Sequence, residues 1–367
     1  MPGARPAGHA AVCGLSGRQK FDRVAAMTPA IKAGLLRCAR AIPELLPAYH
    51  RARGRQRFLN VYLDTTNSCN LWCRMCYARL RPKSHRMQAW PQAQFERVAA
   101  QVLPHARLLM LSCATEPLLN PRMERCVRYA KRLGTPCVGL VTNGILLTPE
   151  RSRGLIAAGL DRLVVSMDGA RAETYEAIRT GAKFDRLMEN LRALQAAKQA
   201  AGAKKPRLTF NYVILRSNLG EIEPFIDLAA SLGAAAMDFR HLVIAHPGLD
   251  LEAEILRSDE IDATALARRI RERCAARGLD VEHAPDPQAA STAAPCAHPR
   301  EMVLIVWNGD VWPCAMWKEE ALGNVFRQDF WDIWNCERYR QLRESVAADC
   351  APAPCRQCDR WGQDTLA

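Results

Sequence analysis

The stretch Cys69-Asn70-Leu71-Trp72-Cys73-Arg74-Met75-Cys76 decides how this chain is read. Three thiols within eight residues make a soft-metal ligand set. A four-iron cluster takes four ligands, commonly all Cys, so a close triplet leaves one iron open to another partner. The triplet follows the apolar, β-branched run Leu59–Asp64, which predicts a strand. It therefore sits on a loop beyond a strand's carboxyl end, where parallel α/β folds place their chemistry. A zinc site or a purely structural cluster is the other reading of this spacing.

Outward from that loop the chain keeps a regular rhythm. Further strands are predicted at Arg107–Leu111, Pro136–Val141, Arg162–Ser166, Arg207–Ile214 and Ala236–Val243. Helical patterns at 92–103, 121–133, 149–158, 184–200 and 220–232 fall between them. Strands alternating with helices give an α/β fold with a parallel sheet. Six strands are too few to close an eight-stranded barrel, so the expectation is an open, partial (β/α)6 barrel. Four parts are expected: a basic, partly helical extension over 1–57, the core over 58–250, a helix and a Pro/Ala/Asp/Ser-rich linker over 251–295, and a Cys-bearing tail over 296–367.

Polar motifs recur at the predicted strand ends. They are Ser112-Cys113-Ala114-Thr115-Glu116-Pro117, Val141-Thr142-Asn143-Gly144 and Ser166-Met167-Asp168-Gly169, the last followed by Thr174-Tyr175-Glu176-Ala177-Ile178-Arg179. Each has a plain reading as well, as a helix start or an Asn-Gly turn. Their order on successive strands, after the Cys-x3-Cys-x2-Cys loop, resembles the radical S-adenosylmethionine (SAM) superfamily.

That resemblance implies a [4Fe-4S] cluster on Cys69, Cys73 and Cys76 whose open iron binds SAM. An electron from the cluster cleaves SAM to a 5′-deoxyadenosyl radical, which removes a substrate hydrogen. It also implies SAM-binding roles for Met75, Tyr77, Glu116, Thr142, Asn143, Ser166, Asp168 and Arg240, with His241 near the last. Glu116 and Pro117 match the family's Gly-Gly-Glu-Pro motif, which holds the SAM amino group, but Ala114 and Thr115 replace both glycines. Met75 stands where the family usually has an aromatic residue. Cys113, beside the SAM motif, is a candidate hydrogen-atom donor to a substrate radical.

The tail holds Cys296, Gly309-Asp310-Val311-Trp312-Pro313-Cys314 and Cys355-Arg356-Gln357-Cys358, with a helix near Trp331–Trp334 between the pairs. Such a set can assemble a four-thiolate site. It resembles the SPASM/twitch tail of many radical SAM enzymes and implies one auxiliary [4Fe-4S] cluster on Cys296, Cys314, Cys355 and Cys358. Cys336 and Cys350 are spare, and a structural zinc ribbon is the alternative.

Fifteen Cys in a chain of 367 residues with no signal-peptide pattern point to metal ligation in a reducing cytoplasm rather than to disulfides. No apolar run is long enough to span a bilayer, so no membrane partner is expected. The first 60 residues carry eleven Lys/Arg against two acids, net +9 of the chain's +13. No aromatic interleaving accompanies them, so nucleic acid is not an expected partner. The expected partners are SAM, a reducing donor such as flavodoxin or ferredoxin, and a substrate to be oxidised, crosslinked or epimerised. Peptide and small sugar- or cyclitol-like substrates stand level. A basic metal-bound adaptor and a degenerate radical SAM protein are the competing classes.

Overall fold

The structure, a computed structural model, describes residues 57–80, 85–242, 248–257, 259–284, 296–317, 319–348, 352–356 and 358. The basic extension with its predicted helix, most of the linker and Cys350 lie outside the described residues. Six strands follow the predicted rhythm: β1 Leu59–Leu63, β2 Ala106–Met110, β3 Cys137–Thr142, β4 Arg162–Ser166, β5 Arg207–Ile214 and β6 Ala236–His241. They pair in sequence order, all parallel, as an open sheet with two edges. This is the partial (β/α)6 barrel.

The helices form where local chemistry starts them. Thr148 caps the helix Pro149–Ala158 by accepting from the Arg151 N–H, and Pro149 supplies a preset φ at its first position. Asp262 caps Ala263–Ala276 in the same way. The sheet face under the helices is apolar, and Val61, Leu140, Leu163, Phe210 and Phe239 have no solvent exposure. Alternation sends the neighbouring residues to the opposite, concave face. There Ser166, Asn211 and Asp238 stand side by side across β4, β5 and β6, and Arg240 lies two residues further on.

Four further strands extend the sheet. β7 Asp280–His283 pairs parallel to β6. Its sequence Asp-Val-Glu-His lacks an apolar signal because charge holds it: Glu282 meets Arg162 and Arg207, and Asp280 meets Arg207. On the other edge β8 Met302–Ile305 pairs parallel to β1, and β9 Asp310–Trp312 and β10 Gly323–Asn324 follow antiparallel. The tail thus continues the core sheet. Trp331 and Trp334 of the helix Phe330–Trp334 pack against His105 and Phe58 of the core.

Candidate active site

Cys69, Cys73 and Cys76 lie just beyond the carboxyl end of β1. Their loop is tied down by its backbone, with Trp72 N–H donating to the Thr180 carbonyl and Arg74 N–H to that of Ile178. Arg74 also bridges to Glu254 at 2.9 Å. The thiols are partly or wholly buried and close enough to feel one another. Burial pushes the Cys69 thiol up to about 11; the Leu71 N–H opposes this, while Glu116, Cys73 and Cys76 add to it. A thiol held that high is a poor anion until a cation compensates it, which suits an iron cluster.

Polar groups from other strands converge on the same sulfurs. Asn143 Nδ2, after β3, lies 3.7 Å from Cys69 Sγ and 2.8 Å from Asn70 Oδ1. The Leu71 N–H donates to Cys69 Sγ at 3.4 Å. The buried Arg179 places Nη1 3.8 Å from Cys73 Sγ. Gly144 has φ +76, and a Cβ there would come within 2.5 Å of a Leu187 methyl, so the Thr-Asn-Gly turn requires glycine at that position.

Glu116 is buried at the centre of this arrangement. Its carboxylate accepts from Thr142 Oγ1 at 2.7 Å, Asn143 N–H at 2.8 Å and Leu118 N–H at 3.0 Å. A carboxylate has about four acceptor positions, so about one remains for a ligand. Burial pushes its pKa up despite those donors, so a neighbouring cation such as an ammonium would be welcome.

Asp64 is a site residue that the sequence reading missed. It accepts from Cys113 N–H at 2.8 Å, Ala114 N–H at 3.2 Å and Thr115 Oγ1 at 2.8 Å. The loop that lacks the two glycines is therefore shaped by a buried carboxylate and the Thr115 hydroxyl. The available signal was an acid closing an apolar strand.

The remaining candidates are distributed as follows. Asp168 is fully buried; its Oδ1 accepts from Val213 N–H at 2.8 Å, and its Oδ2 lies 2.7 Å from Arg179 Nε in an ion pair that lacks hydrogen-bond geometry. Ser166 ends β4 on the concave face. Arg240 makes a two-point pair with Asp238, at 2.7 and 3.0 Å. Met75 is half-buried between ligands, and the side chain of Tyr77 lies outside the described residues. The Cys113 thiol donates to the Ile305 carbonyl at 3.9 Å, and burial, with Asp64 beside it, pushes its pKa well up.

In the tail, Cys314 lies within electrostatic reach of Cys296 and Cys355, and Cys355 within reach of Cys296 and Cys358, while among the described residues no three His, Cys, Asp or Glu side chains stand as a preformed metal site. Burial raises Cys314 to about 11, opposed by the Met316 and Trp317 N–H groups and reinforced by Cys355 and Cys296. Burial raises Cys355 as well, with Cys296 and Cys358 adding to it. The donor chemistry, four thiols, suits a cluster. Cys336 instead directs its thiol to the Leu322 carbonyl at 3.9 Å.

Comparison with known proteins agrees with this geometry. Residues 63–229 match the radical SAM superfamily, and residues 296–359 match the SPASM iron–sulfur cluster-binding domain. An AdoMet-dependent heme synthase of Methanosarcina barkeri is 32% identical over 260 residues, 65% of this chain and 71% of that protein. A PqqA peptide cyclase of Gluconobacter oxydans is 26% identical over 316 residues, 83% and 84% of the two chains. The crystal structure of Streptococcus suis SuiB superposes with a TM-score of 0.68 at 14% identity, covering 96% of this chain and 93% of SuiB. Among the described residues no helix is long and apolar enough to cross a membrane. The chain belongs to the radical SAM superfamily, whose SAM-binding four-iron cluster it implies in the core, and its SPASM tail implies auxiliary iron–sulfur ligation.

Proposed function

We propose that this protein is an oxidising or crosslinking radical SAM enzyme whose substrate is a peptide. The observation that carries the reading is the convergence of the Cys69–Cys76 thiols with Glu116 and Asn143 at the carboxyl rim of the sheet. When bound, the cluster and SAM supply hydrogen-atom abstraction, and an auxiliary cluster supplies a route for the electron that an oxidation releases. Cys69, Cys73 and Cys76 hold the first group, and Cys296, Cys314, Cys355 and Cys358 hold the auxiliary one. Glu116 offers its spare acceptor position to the SAM ammonium. Asn143 keeps Glu116 and the Cys69 loop in one arrangement through its backbone N–H and its side-chain amide. The substrate lies along the concave face, where Ser166, Asn211 and the Asp238–Arg240 pair provide polar contacts.

A peptide substrate is supported by relatives. One is named a PqqA peptide cyclase, and SuiB has been crystallised with its precursor peptide SuiA. The concave face suits an extended chain, since β7 and β10 are the edges of the sheet among the described residues.

Anaerobically reconstituted protein reduced with dithionite is expected to convert SAM to 5′-deoxyadenosine and methionine. Product chromatography, together with iron and sulfide analysis, tests this. Well-folded protein that takes up zinc instead of iron and yields no 5′-deoxyadenosine would make the basic metal-bound adaptor the better account.

A further inference from the structure

Behind Cys73 the fold places a buried group of side chains that metal ligation does not use. Arg179 follows the helix Ala172–Ile178, and its side chain is about nine-tenths buried. Its Nη1 lies 3.8 Å from Cys73 Sγ while its Nε pairs with the fully buried Asp168 at 2.7 Å. Arg179 thus stands between the sulfur and the carboxylate, and the positive end of the pair faces the thiol. An arginine guanidinium stays protonated in proteins, so a fixed positive charge faces the sulfur.

Tyr175 supplies a second, independent observation. Its side chain has no solvent exposure, and its hydroxyl has no hydrogen-bond partner among the described residues. It lies within electrostatic reach of Arg179, Asp168 and Cys73. A buried hydroxyl left unpaired is costly, so its position calls for an acceptor at this spot. Gly169 lets the helix start close in, because a Cβ there would meet the Tyr175 backbone nitrogen at 2.8 Å.

We propose that Arg179, oriented by Asp168 and joined by Tyr175, sets the reduction potential of the cluster bound by Cys69, Cys73 and Cys76. The proposal rests on the cluster assignment above. One-electron reduction by an external low-potential donor adds one negative charge to the site and makes or breaks no bond. A buried guanidinium beside one ligand sulfur favours the more negative state, as does the dipole of a buried hydroxyl nearby, because screening is weak there. Arg179, Asp168 and Tyr175 are therefore positioning residues, acting through the cluster and not on substrate.

The test is a potentiometric titration of reconstituted holoprotein, following the paramagnetic signal that responds to added SAM. Arg179→Met is expected to shift the reduced-to-oxidised ratio at a fixed potential about tenfold toward oxidised, about 59 mV for a one-electron couple. Arg179→Lys keeps the charge and should recover most of that shift. Asp168→Asn removes the opposing charge and should move the ratio the other way. Tyr175→Phe should shift it in the same sense as Arg179→Met, but less. Should Arg179→Met fail to take up iron, the Asp168→Asn and Tyr175→Phe titrations decide the matter. Loaded variants that titrate with wild type, or an Asp168→Asn shift in the same direction as Arg179→Met, would overturn the proposal. Wild-type protein with no SAM-responsive cluster would instead overturn the functional reading.

Discussion

The two thiol sets differ in how they are built. Cys69, Cys73 and Cys76 come from one loop beyond β1, and strands β2–β4 back them with Glu116, Asn143 and the Asp168–Arg179 pair. Cys296, Cys314, Cys355 and Cys358 come from separated segments that meet because β8 joins β1 and the Trp331–Trp334 turns dock on Phe58 and His105. The first site is a local motif stabilised by distant partners. The second is a distant assembly with little local definition. Burial raises Cys69 and Cys73 in the first set and Cys314 and Cys355 in the second, so both sets gain from a bound cation, but they arrive there by different routes.

The largest expected effects separate the two sets directly. Cys73→Ala should abolish 5′-deoxyadenosine formation and remove about four of the roughly eight irons that two four-iron clusters contain. Cys355→Ala should remove a similar amount of iron while leaving SAM cleavage within a few-fold of wild type. Iron analysis and product chromatography on both variants give the answer. Equal loss of SAM cleavage in the two would mean that the sites are not independent.

A smaller effect probes the partners behind the first site. Glu116→Ala leaves the Thr142 hydroxyl and the Asn143 and Leu118 N–H groups without their acceptor. At about 1–3 kcal/mol for each buried unpaired group, unfolding by urea should begin from a stability lowered by about 3 kcal/mol or more. Unchanged unfolding would mean that the loop does not depend on this carboxylate.

The smallest effect belongs to the opposite, amino-terminal rim of the sheet, which carries no candidate chemistry. Asp161 accepts there from Lys131 and Lys205, both at 2.6 Å, and from the Val138 N–H. Burial would raise its pKa, but those partners outweigh burial and hold it below the usual carboxylate value. A depressed folded pKa means stability that is fully present above the unfolded value near 3.9 and lost as pH falls through the lower folded one. The lysines are partly exposed, so the contribution is screened to about 1 kcal/mol or less. Asp161→Asn should flatten this part of the acid limb of a stability-versus-pH curve and leave the neutral region nearly parallel to wild type.

Much of the architecture was legible along the chain. The helices Pro149–Ala158 and Phe184–Ala200 and the strands Arg162–Ser166 and Arg207–Ile214 fall where periodicity puts them. Apolar repeats over that length leave one buried face and one register. β7 was not legible, because Asp280 and Glu282 hold it by ion pairs with β4 and β5 rather than by apolar alternation. β8, four residues long, was hidden by its brevity within a Cys-rich segment.

The spacing of three Cys after a strand, and the order of polar motifs on the strands that follow, were determined by the sequence itself, because both depend on residues a few positions apart. What surrounds the sulfurs was decided by the tertiary structure. Asp168 reads in sequence as a SAM contact, yet Arg179 occupies it and turns toward Cys73. Asp64 reads as the end of a strand, yet it shapes the loop where two glycines are missing. The tail thiols come within electrostatic reach of one another through the packing that aligns β8 with β1. Buried charges and donors must find partners wherever the packed chain brings one within about 3 Å, and that distance is set by the packing of whole strands and helices rather than by separation along the sequence.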